Sequence, residues 1–113
     1  MLASHFRLKK KREIEYILQK GKKFTAPIFI AKYTPNNVHF HRFTIITSQK
    51  FSHSAVVRNR TRRILYETIR LNLPTTPLSY SYDCVIIPFK SVVKTKHEVI
   101  NGHIFSLLHT AFQ

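Results

Sequence analysis

Between Ala55 and Arg70 the chain carries five arginines, no lysine and a single acid, Glu67, at a spacing that reads as one amphipathic helix. At 100° per residue, Val57, Thr61, Ile64, Leu65 and Thr68 fall into one mostly apolar stripe. Asn59, Arg63, Tyr66 and Arg70 fall on the opposite side. Arg58 and Arg62 flank them on one edge, and Arg60 lies toward the other. One face of such a helix can join a core while the other presents guanidinium groups, an amide and a phenol. The rest of the chain must therefore supply a layer for the stripe to cover.

The flanking segments supply it. Ile14, Ile17 and Leu18 predict a first helix over about Lys10 to Lys20. Gly21 is expected to close it in a left-handed conformation, and Lys20, Lys22 and Lys23 suit the negative end of its dipole. Ile28 to Tyr33, entered through Pro27, reads as a strand. Thr34-Pro35-Asn36-Asn37 is a turn signal, followed by a second strand at about Val38 to Phe40 that merges toward a third over Arg42 to Thr47. Ser48 to Ser54 is a polar loop, the arginine helix runs from about Ala55 to Leu71, and Pro74 to Pro77 is a turn. Asp83 to Phe89 is a buried strand. Thr95 and Glu98 have the spacing of a capping box that opens a last helix, whose stripe is Ile100, Ile104, Leu107, Leu108 and Ala111, softened by Gly102. The order α-β-β-β-α-β-α predicts a single domain over 1–113, an α/β (α+β) two-layer sandwich with a mixed four-stranded sheet, preceded by a flexible basic stretch over 1–9.

Charge sets the class of partner. Lys and Arg number 19 against 5 Asp and Glu, a formal net charge of +14 on 113 residues. A small domain repelling itself so strongly calls for a polyanion, with nucleic acid first and an anionic membrane surface second. Arginine pairs with phosphate through a planar fork and also stacks on bases. Asn59 can read a base edge or a sugar hydroxyl, and Tyr66 offers a stacking surface. With one acid for five Arg, compensating pairs along the helix are scarce, which favours a nucleic-acid face over a merely solvated one. Lys9, Lys10, Lys11 and Arg12 are expected to touch phosphates without sequence preference. The membrane alternative wants a basic amphipathic helix, yet the last helix carries no Lys or Arg beyond Lys96. No apolar run approaches the ~20 residues of a membrane span, and no secretory signal is expected from Met1 to Arg12. The lone cysteine, Cys84, excludes an intrachain disulfide, lies in an apolar run and suits a reducing, cytoplasmic compartment.

The sequence offers no protein-borne catalyst. Seven His are scattered; His39 and His41 alternate but have no Cys or acid beside them, so no metal site is expected. The acids Glu13, Glu15, Glu67, Asp83 and Glu98 are too dispersed for a carboxylate-metal nuclease, which would be one rival function. A structural RNA binder of the ribosome or another ribonucleoprotein is the other. With two Gly in all, there is no glycine-rich phosphate loop.

At the arginine helix the sequence resembles a known family. Ala55-Val56-Val57-Arg58-Asn59-Arg60-Thr61-Arg62-Arg63 is similar to the signature helix of the bacterial ribonuclease P protein component, Ala-Val-x-Arg-Asn-Arg-x-[Lys/Arg]-Arg. Arg7-Leu8-Lys9-Lys10 followed by a helix and Gly21 looks like the family's opening, Ser48-Gln49-Lys50 resembles its Ser-Lys-Lys, and Asp83 to Ile87 its last strand. The resemblance implies a sandwich similar to a ribosomal-protein domain, with a left-handed βαβ crossover that is rare on general grounds. It implies that the signature helix and nearby loop, with Arg58, Asn59, Arg60, Arg62, Arg63, Tyr66, Arg70 and Lys50, contact the catalytic RNA and the substrate leader, one protein per RNA. The single-stranded 5′ leader of precursor tRNA would lie in a cleft between the sheet and the first helix. Hydrolysis would occur at Mg²⁺ held by the RNA, with no cofactor bound by the chain. Ile14 and Leu18 stand where the family often has Phe, Lys32 where it has an aromatic, Tyr66 where it has Arg and Gln49 where it has Lys. Phe89, with Lys90 adjacent, stands where a basic residue is common. Tyr16, Phe29 and Tyr33 are the aromatics that could stack on the leader instead.

Overall fold

The computed structural model describes residues 2–75 and 80–112. Helix α1 spans Lys11–Lys20, strand β1 Lys22–Thr25, β2 Phe29–Pro35, β3 Arg42–Ile45, α2 Ala55–Asn72, β4 Tyr82–Pro88 and α3 His97–Ser106. The strands form one mixed sheet ordered β1-β2-β4-β3. β1 with β2 and β2 with β4 are antiparallel, while β3 and β4 are parallel neighbours joined through α2.

Period-two alternation divides the side chains between two faces. Phe29, Ala31 and Tyr33 of β2, Phe43 and Ile45 of β3, and Cys84 and Ile86 of β4 bury against Leu65, Ile69, Ile100 and Ile104 of α2 and α3 and against Leu107 just beyond α3. This is the large core of a sheet-on-helix sandwich. On the other face Val85 meets Ile17 and Leu8, with Ile14, Leu18, Ile46 and Ile87 around them. Helix α1 is held there by that smaller cluster. Beyond Ser106 the last helix widens to a π turn over Leu107–Ala111, and Phe112 ends fully buried beside Tyr33, Tyr82 and His41. His41 is itself buried, with its Nδ1 accepting from the Tyr82 N–H at 3.0 Å, and burial lowers its pKa to about 4.

Five sequence expectations change. Gly21 is extended, at φ −68° and ψ 151°, not left-handed. Space explains it: a Cβ there would stand 2.5 Å from the Ile17 carbonyl oxygen and 3.0 Å from the Tyr33 nitrogen. Val38 to Phe40 is not a strand. Asn36 gathers it into a loop, its Oδ1 accepting from the Val38 N–H (3.2 Å) and its Nδ2 donating to the Phe40 carbonyl (3.2 Å), with His39 left-handed at φ 69°. The third strand before α2 is instead β1, a short, mostly exposed edge. The capping box does not form: Thr95 Oγ1 donates to the Ser91 carbonyl (2.7 Å), and α3 starts two residues later with no side-chain cap. Residues 2–8, expected to be a flexible arm, are docked. Leu2 and Leu8 are buried and the Leu8 N–H donates to the Phe43 carbonyl at 2.7 Å, along the outer edge of β3. Of the expected 74–77 turn, Pro74 and Thr75 lie in a 3₁₀ turn, while Thr76 and Pro77 lie outside the described residues.

Candidate nucleic-acid interface

Helix α2 begins at Ser54, whose hydroxyl accepts from the Val57 N–H (3.3 Å) and satisfies one of the free donors of the first turn. Thr61, Leu65, Tyr66, Ile69 and Asn72 bury, while Val57, Ile64 and Thr68 are half-buried, so the face against the sheet is rotated from the expected stripe toward Ile69 and Tyr66. Asn59, Arg60 and Arg63 are exposed, and Arg58 and Arg62 half-exposed. Two of these arginines are braced. Arg58 Nη1 donates to the Ser52 carbonyl at 2.8 Å, tying the helix to the 48–54 loop. Arg62 donates to Thr47 Oγ1 and to Asn59 Oδ1. Among the described residues, no ion pair involves Arg58, Arg60, Arg62 or Arg63. The nearest acid is Glu67, which lines a depression with Arg60 and Arg63 but is held by Arg70, so positive charge dominates this surface, as suits a phosphate-binding face.

Two expected members differ. Arg70 is paired with Glu67, and its guanidinium holds that carboxyl down at about 2, so it is not a bare cation. Tyr66 is 6% exposed and is no stacking platform. Its hydroxyl accepts from the Ile45 N–H (3.2 Å) on the free edge of β3, and Arg7 lies over its ring, with Cζ 4.5 Å from the centroid. A helical projection places Tyr66 opposite the stripe but cannot show that a strand edge and the N-terminal segment close over that side.

The loop brings Lys50 out into solvent while Phe51 anchors it in the core. Lys9, Lys10, Lys11 and Arg12 are exposed around the start of α1, with Lys9 Nζ donating to Ser4 Oγ. Two depressions border α2. Arg7, Val56, Asn59, Arg62 and Arg63 line one of about 500 Å³. The other, of about 430 Å³, lies toward α3 and includes Arg60, Arg63, Ile64 and His97. Arg7 and His97 escaped the sequence reading because both come from segments remote from the helix.

On the opposite side of the sheet, Ile14 and Leu18 are half-buried, and Lys32 sits beside them with its Nζ donating to the Leu18 carbonyl (2.8 Å). A cleft of about 420 Å³ opens between α1 and the end of β2, lined by Arg12, Glu13, Tyr16, Thr34, Asn37 and Arg42 but not by Ile14, Leu18 or Lys32. Arg42 is held by Asp83 through Nε (2.8 Å) and Nη2 (2.7 Å) and by Glu13 at 3.3 Å, and the hydrogen bonds to Asp83 raise its pKa. Tyr16, 59% exposed, is the aromatic of this cleft. Phe29 and Tyr33 are not part of it: they alternate with Lys32, face the large core and are 0% and 8% exposed. Phe89 and Lys90 are exposed just past the end of β4.

Among the described residues no three His, Cys, Asp or Glu side chains gather to hold a cation. Glu13, Asp83 and Glu67 are each engaged by a guanidinium group. Cys84 is fully buried, and burial pushes its thiol pKa up, which leaves it inert.

The family model described as Ribonuclease P matches residues 2–111. The ribonuclease P protein component of Petrotoga mobilis is 36% identical over 88 residues, 78% of this chain and 72% of that protein. The corresponding protein of Clostridium kluyveri is 29% identical over 106 residues, 94% of each chain. The solved RNase P protein from Thermotoga maritima, in complex with 1-(4-fluorophenyl)-2-thiourea, is similar at a TM-score of 0.80 and 25% identity, covering 92% of this chain and 98% of that one. With the match running through the arginine helix, the loop before it and every strand of the sheet, the chain belongs to the ribonuclease P protein family.

Proposed function

We propose that this chain works as the RNA-binding subunit of ribonuclease P by gripping two RNA elements with two faces. Arg58, Asn59, Arg60, Arg62 and Arg63 of α2, with Lys50 on the preceding loop, hold the catalytic RNA. The cleft between α1 and the sheet receives the 5′ leader of precursor tRNA, with Tyr16 to stack and Lys9 to Arg12 along the phosphates, while Ile14 and Leu18 hold α1 on the sheet beside it. Mg²⁺ is carried by the RNA, and the chain contributes binding and positioning to removal of the leader. The assembly acts in the cytoplasm with one protein per RNA.

The observation that carries this reading is the run of four arginines without an ion-pair partner among the described residues, two of them braced by neutral oxygens. A structural surface would have paired them with carboxylates, whereas a phosphate site leaves the forks pre-set and unpaired.

The test is cleavage of precursor tRNA at low Mg²⁺ by the cognate catalytic RNA, with and without the protein, over a series of leader lengths and salt concentrations. Stimulation that grows with leader length and fades with salt is expected. Stimulation independent of leader length would remove the leader from the cleft. RNA binding without stimulation would make the chain a structural RNA binder, and cleavage by the protein alone would overturn the assignment of chemistry to the RNA.

A further inference from the structure

The N-terminal segment adds a cation to the arginine face that does not come from the helix. Arg7 sits in a chain fixed on both sides. Its own N–H donates to the Ser4 carbonyl (3.1 Å), and the next residue, Leu8, is buried and hydrogen-bonded to Phe43. Its guanidinium lies 4.5 Å from the centroid of the Tyr66 ring, and that ring is fixed in turn by the hydroxyl's bond with the Ile45 N–H. No acid pairs with Arg7 among the described residues. The same guanidinium shares a depression of about 500 Å³ with Asn59, Arg62 and Arg63, and Val56, 64% exposed, forms its apolar rim.

These are the components of a nucleotide-sized anion site. Three forks surround one space, two of them already fixed by neutral partners, Arg7 by a ring and Arg62 by Thr47 and Asn59. A guanidinium stacked on an aromatic keeps its in-plane N–H donors for a further acceptor. Pre-setting the fork also reduces the side-chain entropy lost on binding.

We propose that Arg7 is an RNA-phosphate contact of the ribonucleoprotein, that Tyr66 is its positioning residue, and that the basin with Asn59, Arg62 and Arg63 takes one phosphate of the catalytic RNA. The proposal rests on the reading of α2 as the RNA-binding face. It assigns to residues 2–8 a role beyond covering the sheet edge.

Arg7→Met tests it, because Met keeps much of the side chain's length and apolar cover over Tyr66 while removing the charge and its donors. Affinity for the cognate catalytic RNA would be measured by filter binding or fluorescence across 50–200 mM salt, alongside thermal melting of the free protein. The expected result is binding about three- to tenfold weaker at low salt and a log–log salt slope smaller by about 0.7–0.9, the change for one lost phosphate contact. Tyr66→Leu should weaken binding in the wild-type background and add nothing to Arg7→Met, whereas Tyr66→Phe, which keeps the ring under Arg7 but loses the hydroxyl that fixes it, should weaken binding less than Tyr66→Leu. An unaltered slope in Arg7→Met while Arg63→Met lowers it would overturn this proposal alone. Unaltered slopes in both Arg63→Met and Arg62→Met would overturn the underlying reading of α2. If Tyr66→Leu weakens RNA binding equally with and without Arg7, its role is structural and the positioning claim fails.

Discussion

Glycine-to-alanine replacement should act in opposite directions at the two glycines of this chain. At Gly21 the backbone conformation is one that alanine adopts freely, so the obstacle is space. The added methyl would lie 2.5 Å from the Ile17 carbonyl oxygen, 3.0 Å from the Tyr33 nitrogen and 3.2 Å from the Tyr33 oxygen. All three are backbone atoms, held by the end of α1 on one side and the β1–β2 ladder on the other, so no rotamer relieves the clash. Overpacking of this kind costs about 1–3 kcal/mol. An unfolding entropy of about 2.1 cal/mol/K per residue gives about 0.24 kcal/mol/K for 113 residues. Gly21→Ala should therefore lower Tm by about 4–12 °C. At Gly102, exposed within α3, an added Cβ meets nothing within 4 Å. There the helix propensity of Ala over Gly should add about 0.8–1 kcal/mol and raise Tm by about 3–4 °C. Differential scanning calorimetry of the two variants and the parent decides it. A Tm within 2 °C of the parent for Gly21→Ala would refute the close approach of α1 to β2.

Three further outcomes follow from the geometry. His41 is neutral in the fold at pH values where the unfolded chain is protonated, so stability is complete above pH 6.5 and declines toward pH 4 by about 1.4 kcal/mol per unit, about 3 kcal/mol in all; urea midpoints across this window should lose that slope in His41→Gln. Asp83→Asn leaves Arg42 without its main partner and should cost about 1–3 kcal/mol, whereas Glu13→Gln, a longer contact to a carboxylate 35% exposed, should cost under about 1 kcal/mol; denaturant melts that rank the two the other way would contradict the network. Ser54→Ala should cost about 1 kcal/mol by uncapping α2, read as a Tm lower by about 4 °C with little loss of helical circular dichroism below the transition.

Much of this fold was legible because its long elements obey one period each. Helix α2, the apolar run of β4 and helix α1 each survive with ends shifted by one or two residues, although the buried face of α2 is turned toward Ile69 and Tyr66. What failed was local and polar. Lys22 to Thr25 sets Phe24 and Thr25 behind two lysines, a run too short and too charged to stand out as a strand; pairing with β2 creates it. Val38 to Phe40 has the right residues for a strand, yet Asn36 satisfies its backbone groups inside a loop. Within the site, the arginines and Asn59 were legible from helical angle, because exposure on one face of a surface helix follows from the stripe. Tyr66 was not, since its environment is set by β3 and Arg7, remote in sequence. The misplacement of Phe29 and Tyr33 was avoidable: they have the opposite parity to Lys32 on one strand, so the three cannot share a face.

The strand order also governs when the two faces come into being. β2 and β3 pair with β4 and not with each other, so until residues 82–88 have been synthesised only the β1–β2 hairpin and isolated helices can form. Ile17, the buried residue of α1, waits for the same event, because its partner on the sheet is Val85. Folding of this chain is thus a late, long-range closure around one central strand, with the loop-closure cost that makes such steps slow. The arginine helix is complete in sequence before that closure, whereas the cleft beside α1 does not exist until after it.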